Sequence, residues 1–360
     1  MKHVDEYRDE ELVRVIAEKI NETVTRPWNI MEICGGQTHA IMKYNLLEFL
    51  PGQLNLIHGP GCPVCVTPLE KLDKALAIAM EPDVIFTSFG DMLRVPGSHT
   101  DLFGAKSNGA NLKMVYSPLD AVKIAAENPD KKVVFFAIGF ETTAPVNALS
   151  VIQAKILGLT NYFILSSHVL VPPAIELILS QQSNMVEGIL AAGHVCTIMG
   201  YREYHPISEK YRVPITVTGF EPVDLLNGLL ANIIQLENKS YIVENQYARS
   251  VTQEGNIKAR EMMFDVFEKA DQAWRGIGII PRSGLKVSDK YAEFDAENHF
   301  SLEDIKPVEP ESCIAGLILQ GRKKPDECEC FAKECTPENP KGAPMVSQEG
   351  ACSAYYRYKK

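Results

Sequence analysis

The chain has 360 residues, is 46% hydrophobic and 23% charged, and carries a formal net charge of −10 at pH 7. This is ordinary for a globular protein large enough for two or three cored domains, and the sign argues against a nucleic-acid binder, which carries a basic face. No apolar run approaches the ~20 residues of a membrane helix, and the opening MKHVDEYRDEEL lacks the apolar stretch of a secretory leader, so a cytoplasmic protein with no membrane partner is expected.

After an N-terminal segment, 1–24, short β-rich runs alternate with loops and helical stretches from about residue 28 to 235. The strand candidates are 29–34, 53–58, 83–89, 112–117, 133–140, 161–167, 187–193 and 213–219. Most are continuous apolar runs, as in parallel strands covered on both faces. Helices follow at 68–80 and 118–128. Thr67-Pro68-Leu69-Glu70 and Ser117-Pro118-Leu119-Asp120 both fit a capping box with Pro at the first helical position. Repeated β-loop-α units predict a doubly wound α/β architecture, and the number of strands predicts two sheets. Gly-Phe-Glu at 139–141 and again at 219–221 is a weak internal echo. Beyond 236 the spacing predicts a helix over 257–272 and a hairpin over 276–287. The tail from 306 is rich in Pro, Lys, Glu and Cys and has too few large apolar residues for a core of its own.

The nine cysteines fall in two groups. Cys34, Cys62 and Cys65 lie near the front and Cys313, Cys328, Cys330, Cys335 and Cys352 in the tail, with Cys196 alone. In a reducing compartment they are poor candidates for structural disulfides. Thiols dense in a polar tail are expected to wrap a metal centre. Their wide spacing suits a 4Fe–4S cube, met by loops from several directions, better than zinc, which favours close cysteine pairs; free thiols would oxidise. At the front, Cys34 opens CGGQTHA after one strand, and Cys62 and Cys65 lie in GPGCPVC after the next. Ligands of open α/β sheets bind beyond the carboxyl ends of strands. If those strands are neighbours, the three thiols converge. A helix N-terminus would make Cys65 the more thiolate-like of the pair. Three readings stay open: a thioredoxin-like pair, a zinc site completed by His39 or His58, and an exchangeable metal site. In the last, Cys34 binds a soft metal while Cys62 and Cys65 supply ligands or electrons. Against them stands the plain reading of Cys34 as a buried core thiol. Asp91, Arg94, Glu141, Thr142, Thr143, His168, His194 and Cys196 also sit at strand ends. Singly each reads as structural; together they read as the lining of an inter-domain cleft. No G-x-G-x-x-G or Walker loop is present.

The combination CGGQTH, GPGCPVC, GFETT, SSH followed by PPA, GHVC and a terminal C-x14-C-x6-C-x16-C resembles the HypD family of hydrogenase maturation factors, from about residue 28 to 352. The resemblance implies two doubly wound parallel-sheet domains facing a cleft, 25–120 with Cys34 and Cys62/Cys65, and 121–235. A smaller 4Fe–4S domain over 236–360 follows, with which the 1–24 helix is grouped. It also implies a scaffold and redox-active assembly factor for the Fe(CN)2CO centre of [NiFe] hydrogenase. The scaffold holds iron together with the small chaperone HypC while cyanide from HypE is attached. Cys34 is then a ligand of the transient mononuclear iron that carries CN and CO, with His39 beside it. Cys62 and Cys65 form a redox-active pair close to that iron, and Cys313, Cys328, Cys335 and Cys352 hold the cluster, leaving Cys330 a non-ligand. The competing function is a ferredoxin-linked disulfide reductase that uses the Cys62/Cys65 dithiol and a cluster; a zinc-stabilised binding module is a third.

Overall fold

The computed structural model describes residues 4–302 and 305–359. The ranges 1–24 and 236–360 therefore each include a few residues outside those described. All eight predicted strands form: β1 (Trp28–Glu32), β2 (Leu54–His58), β3 (Val84–Ser88), β4 (Leu112–Met114), β5 (Lys132–Gly139), β6 (Tyr162–Val169), β7 (Gly188–Ala192) and β8 (Ile215–Thr218). Three more follow: β9 (Val243–Asn245), β10 (Phe267–Trp274) and β11 (Gly278–Val287). They make two sheets. One has the order β2-β1-β7-β8-β9 and is parallel throughout. The other has the order β10-β11-β6-β5-β3-β4, parallel from β6 to β4 and antiparallel across β10-β11-β6.

The sheets are not consecutive stretches of chain. Both 25–120 and 121–235 contribute strands to both sheets, because the chain leaves the first sheet after β2 and returns at β7, beside β1. The N-terminal helix α1 (Glu10–Thr23) belongs with the first sheet: Val13, Ile16, Ala17 and Ile20 bury against Trp28, Ile30 and the helix over Pro222–Glu237. Asp9 caps it, accepting the Leu12 N–H at 2.9 Å. The capping box over Ser117–Asp120 forms as expected.

The helix expected over 257–272 ends at Val266, and 267–274 becomes the first strand of a hairpin with β11. Glu268, Lys269 and Asp271 make the segment polar enough to read as a surface helix. Pairing with β11 and burial of Phe267 and Trp274 at its two ends decide otherwise. The tail has a short helix at Ala315–Leu319 and 3-10 turns, and ends in a helix over Ala351–Tyr358 that the sequence reading did not foresee. Its Leu319, Ala343 and Val346 plug into the main core, so the tail is held by the rest of the chain.

In β5 every residue after Lys132 is buried, and Phe86, Phe135 and Phe136 are fully enclosed. Truncating such a ring leaves a cavity. Phe136→Ala is expected to cost about 3–5 kcal/mol of unfolding free energy, read from urea denaturation.

Candidate functional site

β1 and β2 are parallel neighbours with Glu32 opposite His58, so the loops carrying Cys34 and Cys62 leave the sheet side by side. They touch closely. The Gly35 N–H donates to the Gly61 carbonyl at 2.9 Å, and the Gly59 N–H to the Glu32 carbonyl at 2.8 Å. A Cβ on Gly61 would lie 2.3 Å from the Cys34 Cα, so only glycine fits.

Cys34 is the N-cap of the helix α2 (Gly35–Lys43) and is 1% exposed. Burial pushes its thiol well above the usual range, and the nearby Glu349 carboxylate adds to this; amide hydrogen bonds from Gln37 and Gly36 pull the other way. The sulfur lies 3.7 Å from His194 Nδ1. Burial lowers His194 to about 4, so this imidazole is neutral at pH 7, and it rests on the Phe220 ring.

Beneath Cys34 lies a carboxylate that the sequence reading missed. Glu32, fully buried, accepts the Cys34 N–H at 3.1 Å, the Thr38 hydroxyl, and a hydrogen bond from His58 Nδ1 at 2.6 Å. Burial raises its pKa, against the pull of His58 and Thr38. His58 Nε2 meets the Tyr355 hydroxyl at 3.1 Å. Both of the His58 ring nitrogens are thus engaged, which removes it as a fourth zinc ligand. His39 lies on the cleft wall, its Nδ1 3.2 Å from the Gln348 carbonyl and its ring edge-on to Tyr358.

Cys62 and Cys65 are joined as a disulfide. Cys62, not Thr67, opens a helix here, the single turn α3 (Pro63–Val66), and its sulfur accepts the Cys65 N–H at 3.2 Å. The N-cap place expected to favour Cys65 therefore belongs to Cys62. Thr67 donates to the Pro63 carbonyl instead of capping, and Pro68 starts the next helix with no side-chain cap. The helix turn at 63–66 takes both the Thr67 N–H and its hydroxyl to the Pro63 carbonyl, leaving neither for a box with Glu70.

The carboxyl ends of the two sheets face one cleft of about 640 Å³. Gly36, His39, Pro63 and Val64 line it from the first sheet. Phe89, Asp91, Met114, Tyr116, Gly139 and Thr143 line it from the second, and Ser347, Gln348 and Glu349 from the tail. The three front sulfurs are not in its wall; they are buried directly behind the loops that form it. Several residues grouped with the cleft serve elsewhere. His168 is buried between Asn147 and Ser166, and Arg94 donates to the Val346 carbonyl, tethering the tail. Cys196 is buried beside Tyr204. Glu141 accepts the Val171 N–H at 2.9 Å through Oε1, its Oε2 has no partner among the described residues, and burial raises its pKa to about 7.

All five tail cysteines line a second, small pocket with Ile318, Phe331 and Met345. Burial raises the Cys352 thiol most, followed by the nearness of Cys313, Cys335 and Cys328. The turn at Ala343–Met345 borders this pocket and also packs on α3, the helix of Cys65. Among the described residues no three His, Cys, Asp or Glu side chains close on a single-ion position; the sulfurs surround a space instead.

The amino-acid sequence that builds these loops, cleft and pocket matches a known set of proteins. A family model described as HypD, hydrogenase formation hypA family, covers residues 11–359. The hydrogenase maturation factor HypD of Azotobacter vinelandii is 45% identical over 367 residues, spanning 99% of this chain and 97% of that protein. The chain belongs to the HypD family. The HypD proteins of Escherichia coli K12 and Cupriavidus necator are each 43% identical, and this chain spans 99% and 97% of their respective lengths. A role in hydrogenase maturation follows from membership of the HypD family. No helix among the described residues is long and apolar enough to cross a membrane.

Two outcomes test this geometry. Gly61→Ala forces the β1 and β2 loops apart and is expected to lower stability by about 3 kcal/mol, read from urea midpoints. Glu141 binds its proton more tightly when folded, so its contribution is full below about pH 4.5 and is lost as pH rises through about 7. Glu141→Gln removes that loss. Its stability relative to the parent chain should climb across this window by on the order of 3 kcal/mol, and an unchanged difference would contradict the assignment.

Proposed function

We propose that this chain is the scaffold and redox-active assembly factor on which the Fe(CN)2CO unit of [NiFe] hydrogenase is built, with a HypC-type chaperone sharing the iron and a HypE-type protein delivering cyanide. The observation that carries the reading is the placing of Cys34, with His194 at 3.7 Å, against the Cys62–Cys65 loop, buried behind the loops that wall the cleft. Iron that takes up cyanide and carbon monoxide needs a soft thiolate and open positions. One buried cysteine provides the first, and a cleft open to a partner leaves room for the second. The uncharged Cys34 thiol gives up its proton as iron binds, and the amides of Gly36 and Gln37 then face a sulfur that carries charge. Cyanide leaves a carried thiocyanate only by reductive cleavage: the S–CN bond takes two electrons and a proton. The reduced Cys62/Cys65 dithiol supplies two electrons on closing to a disulfide.

The tail pocket fits a 4Fe–4S cluster by its donor chemistry: cysteine sulfurs around one cavity, with Cys313, Cys328 and Cys335 crowding the charge of Cys352. Cys313, Cys328, Cys335 and Cys352 would hold it. When bound, such a cluster supplies single electrons, and the packing of Ala343–Met345 on α3 keeps the pocket against the helix that carries Cys65. The disulfide-bonded state of Cys62–Cys65 beside this pocket also favours a second reading, a ferredoxin-linked disulfide reductase.

Metal analysis separates the two. Cys34→Ala should lose mononuclear iron from the anaerobically purified complex while retaining the brown colour. Disulfide turnover left largely intact by Cys34→Ala would favour the reductase. Cys335→Ser should remove colour and acid-labile sulfide, whereas Cys330→Ala should keep both.

A further inference from the structure

The tail supplies one thiol more than a four-iron cube has corners. Cys328 and Cys330 are separated only by Glu329, and both line the pocket shared by Cys313, Cys335 and Cys352. Backbone hydrogen bonds fix the turn that presents them. The Phe331 N–H donates to the Cys328 carbonyl at 3.0 Å, and the Cys335 and Lys333 N–H groups to the Cys330 carbonyl at 2.9 and 3.2 Å. The two sulfurs are not equivalent. Cys328 completes the C-x14-C-x6-C-x16-C spacing with Cys313, Cys335 and Cys352 and lines the pocket with them. Cys330 lies outside that spacing, is half-buried, and donates through Sγ to the Ser312 carbonyl at 3.9 Å. It stands in the wall of the same pocket, one short step along the same turn from the position of Cys328.

Resting on the iron–sulfur reading above, we infer that Cys330 is a reserve ligand, which takes the corner served by Cys328 when that sulfur is lost or blocked. The exchange involves no electrons. The iron–sulfur bond to Cys328 breaks, one to Cys330 forms, and the proton of the Cys330 thiol passes to the Cys328 sulfur. In a Cys328→Ser chain the Cys330 proton passes to solvent as its bond to iron forms. A shared turn makes the swap local, because only the segment between Cys328 and Cys335 has to move, and that segment lies on the exposed side of the pocket. The device suits a cluster whose electron traffic exposes its ligands to oxidation, since loss of one thiol does not release the iron.

The test uses the full chain, purified anaerobically, with visible absorption, acid-labile sulfide and electron paramagnetic resonance of the reduced protein. Cys328→Ser should keep most of its absorbance and sulfide with a shifted resonance signal. The Cys328→Ser/Cys330→Ser double variant should lose both, as should Cys335→Ser. If Cys328→Ser bleaches as fully as Cys335→Ser while the parent chain is loaded, the reserve role is overturned and the cluster reading stands. A parent chain with no acid-labile sulfide overturns both. A second measurement leaves every cluster ligand in place and so does not depend on Cys328→Ser folding. Transfer of cluster iron to a chelator should be several-fold faster from Cys330→Ser than from the parent chain, and equal rates would overturn the inference.

Discussion

The buried carboxylate of Glu32 is the constraint on which the front site depends. It ends β1, and its oxygens take up the Cys34 amide, the Thr38 hydroxyl and the His58 ring. One side chain thereby fixes the loop of Cys34, the first turn of α2 and the end of β2. His58 hands the connection on to Tyr355, in the helix that also carries Cys352. A buried carboxylate is costly unless its oxygens are satisfied. Loosening any partner therefore penalises the whole arrangement, and the tail stays registered on the first sheet although it has little core of its own.

The same burial sets the chemistry. Cys34 has almost no water and a carboxylate nearby, both of which hold it as a thiol. His194 is held neutral for the same reason. A site of this kind is quiet until a cation arrives, and the cation itself then reverses the balance by stabilising the thiolate. The cleft lies in front, with walls drawn from both sheets and the tail. That layout suits the proposed scaffold, because few of this chain's own groups would hold the iron.

Much of this was legible in the sequence. Eight strands showed as apolar runs because parallel strands are covered on both faces. That the Cys34 loop and the Cys62/Cys65 loop lie side by side followed from Gly-rich turns after successive strands. The interleaving of the sheets was not legible, since nothing local in EGILAAG says that β7 inserts beside β1. β10 was misread because FEKADQAW is polar, and only its pairing with β11 makes it a strand. Glu32 was hidden within a run read simply as apolar, and its partner His58, with Tyr355 beyond it, is distant in sequence. His194 was found, but only as one of several strand-end residues. Its contact with Cys34 comes from the placing of β7 next to β1, the same long-range pairing that local pattern does not encode.

The proposed scaffold places iron carrying cyanide and carbon monoxide on Cys34. The most direct measurement is the infrared spectrum of the chain purified anaerobically with its small chaperone partner, in the region of metal-bound CN and CO stretches, where protein does not absorb. Bands are expected there that disappear in Cys34→Ala. A brown, partner-bound sample with no such bands would contradict that placement.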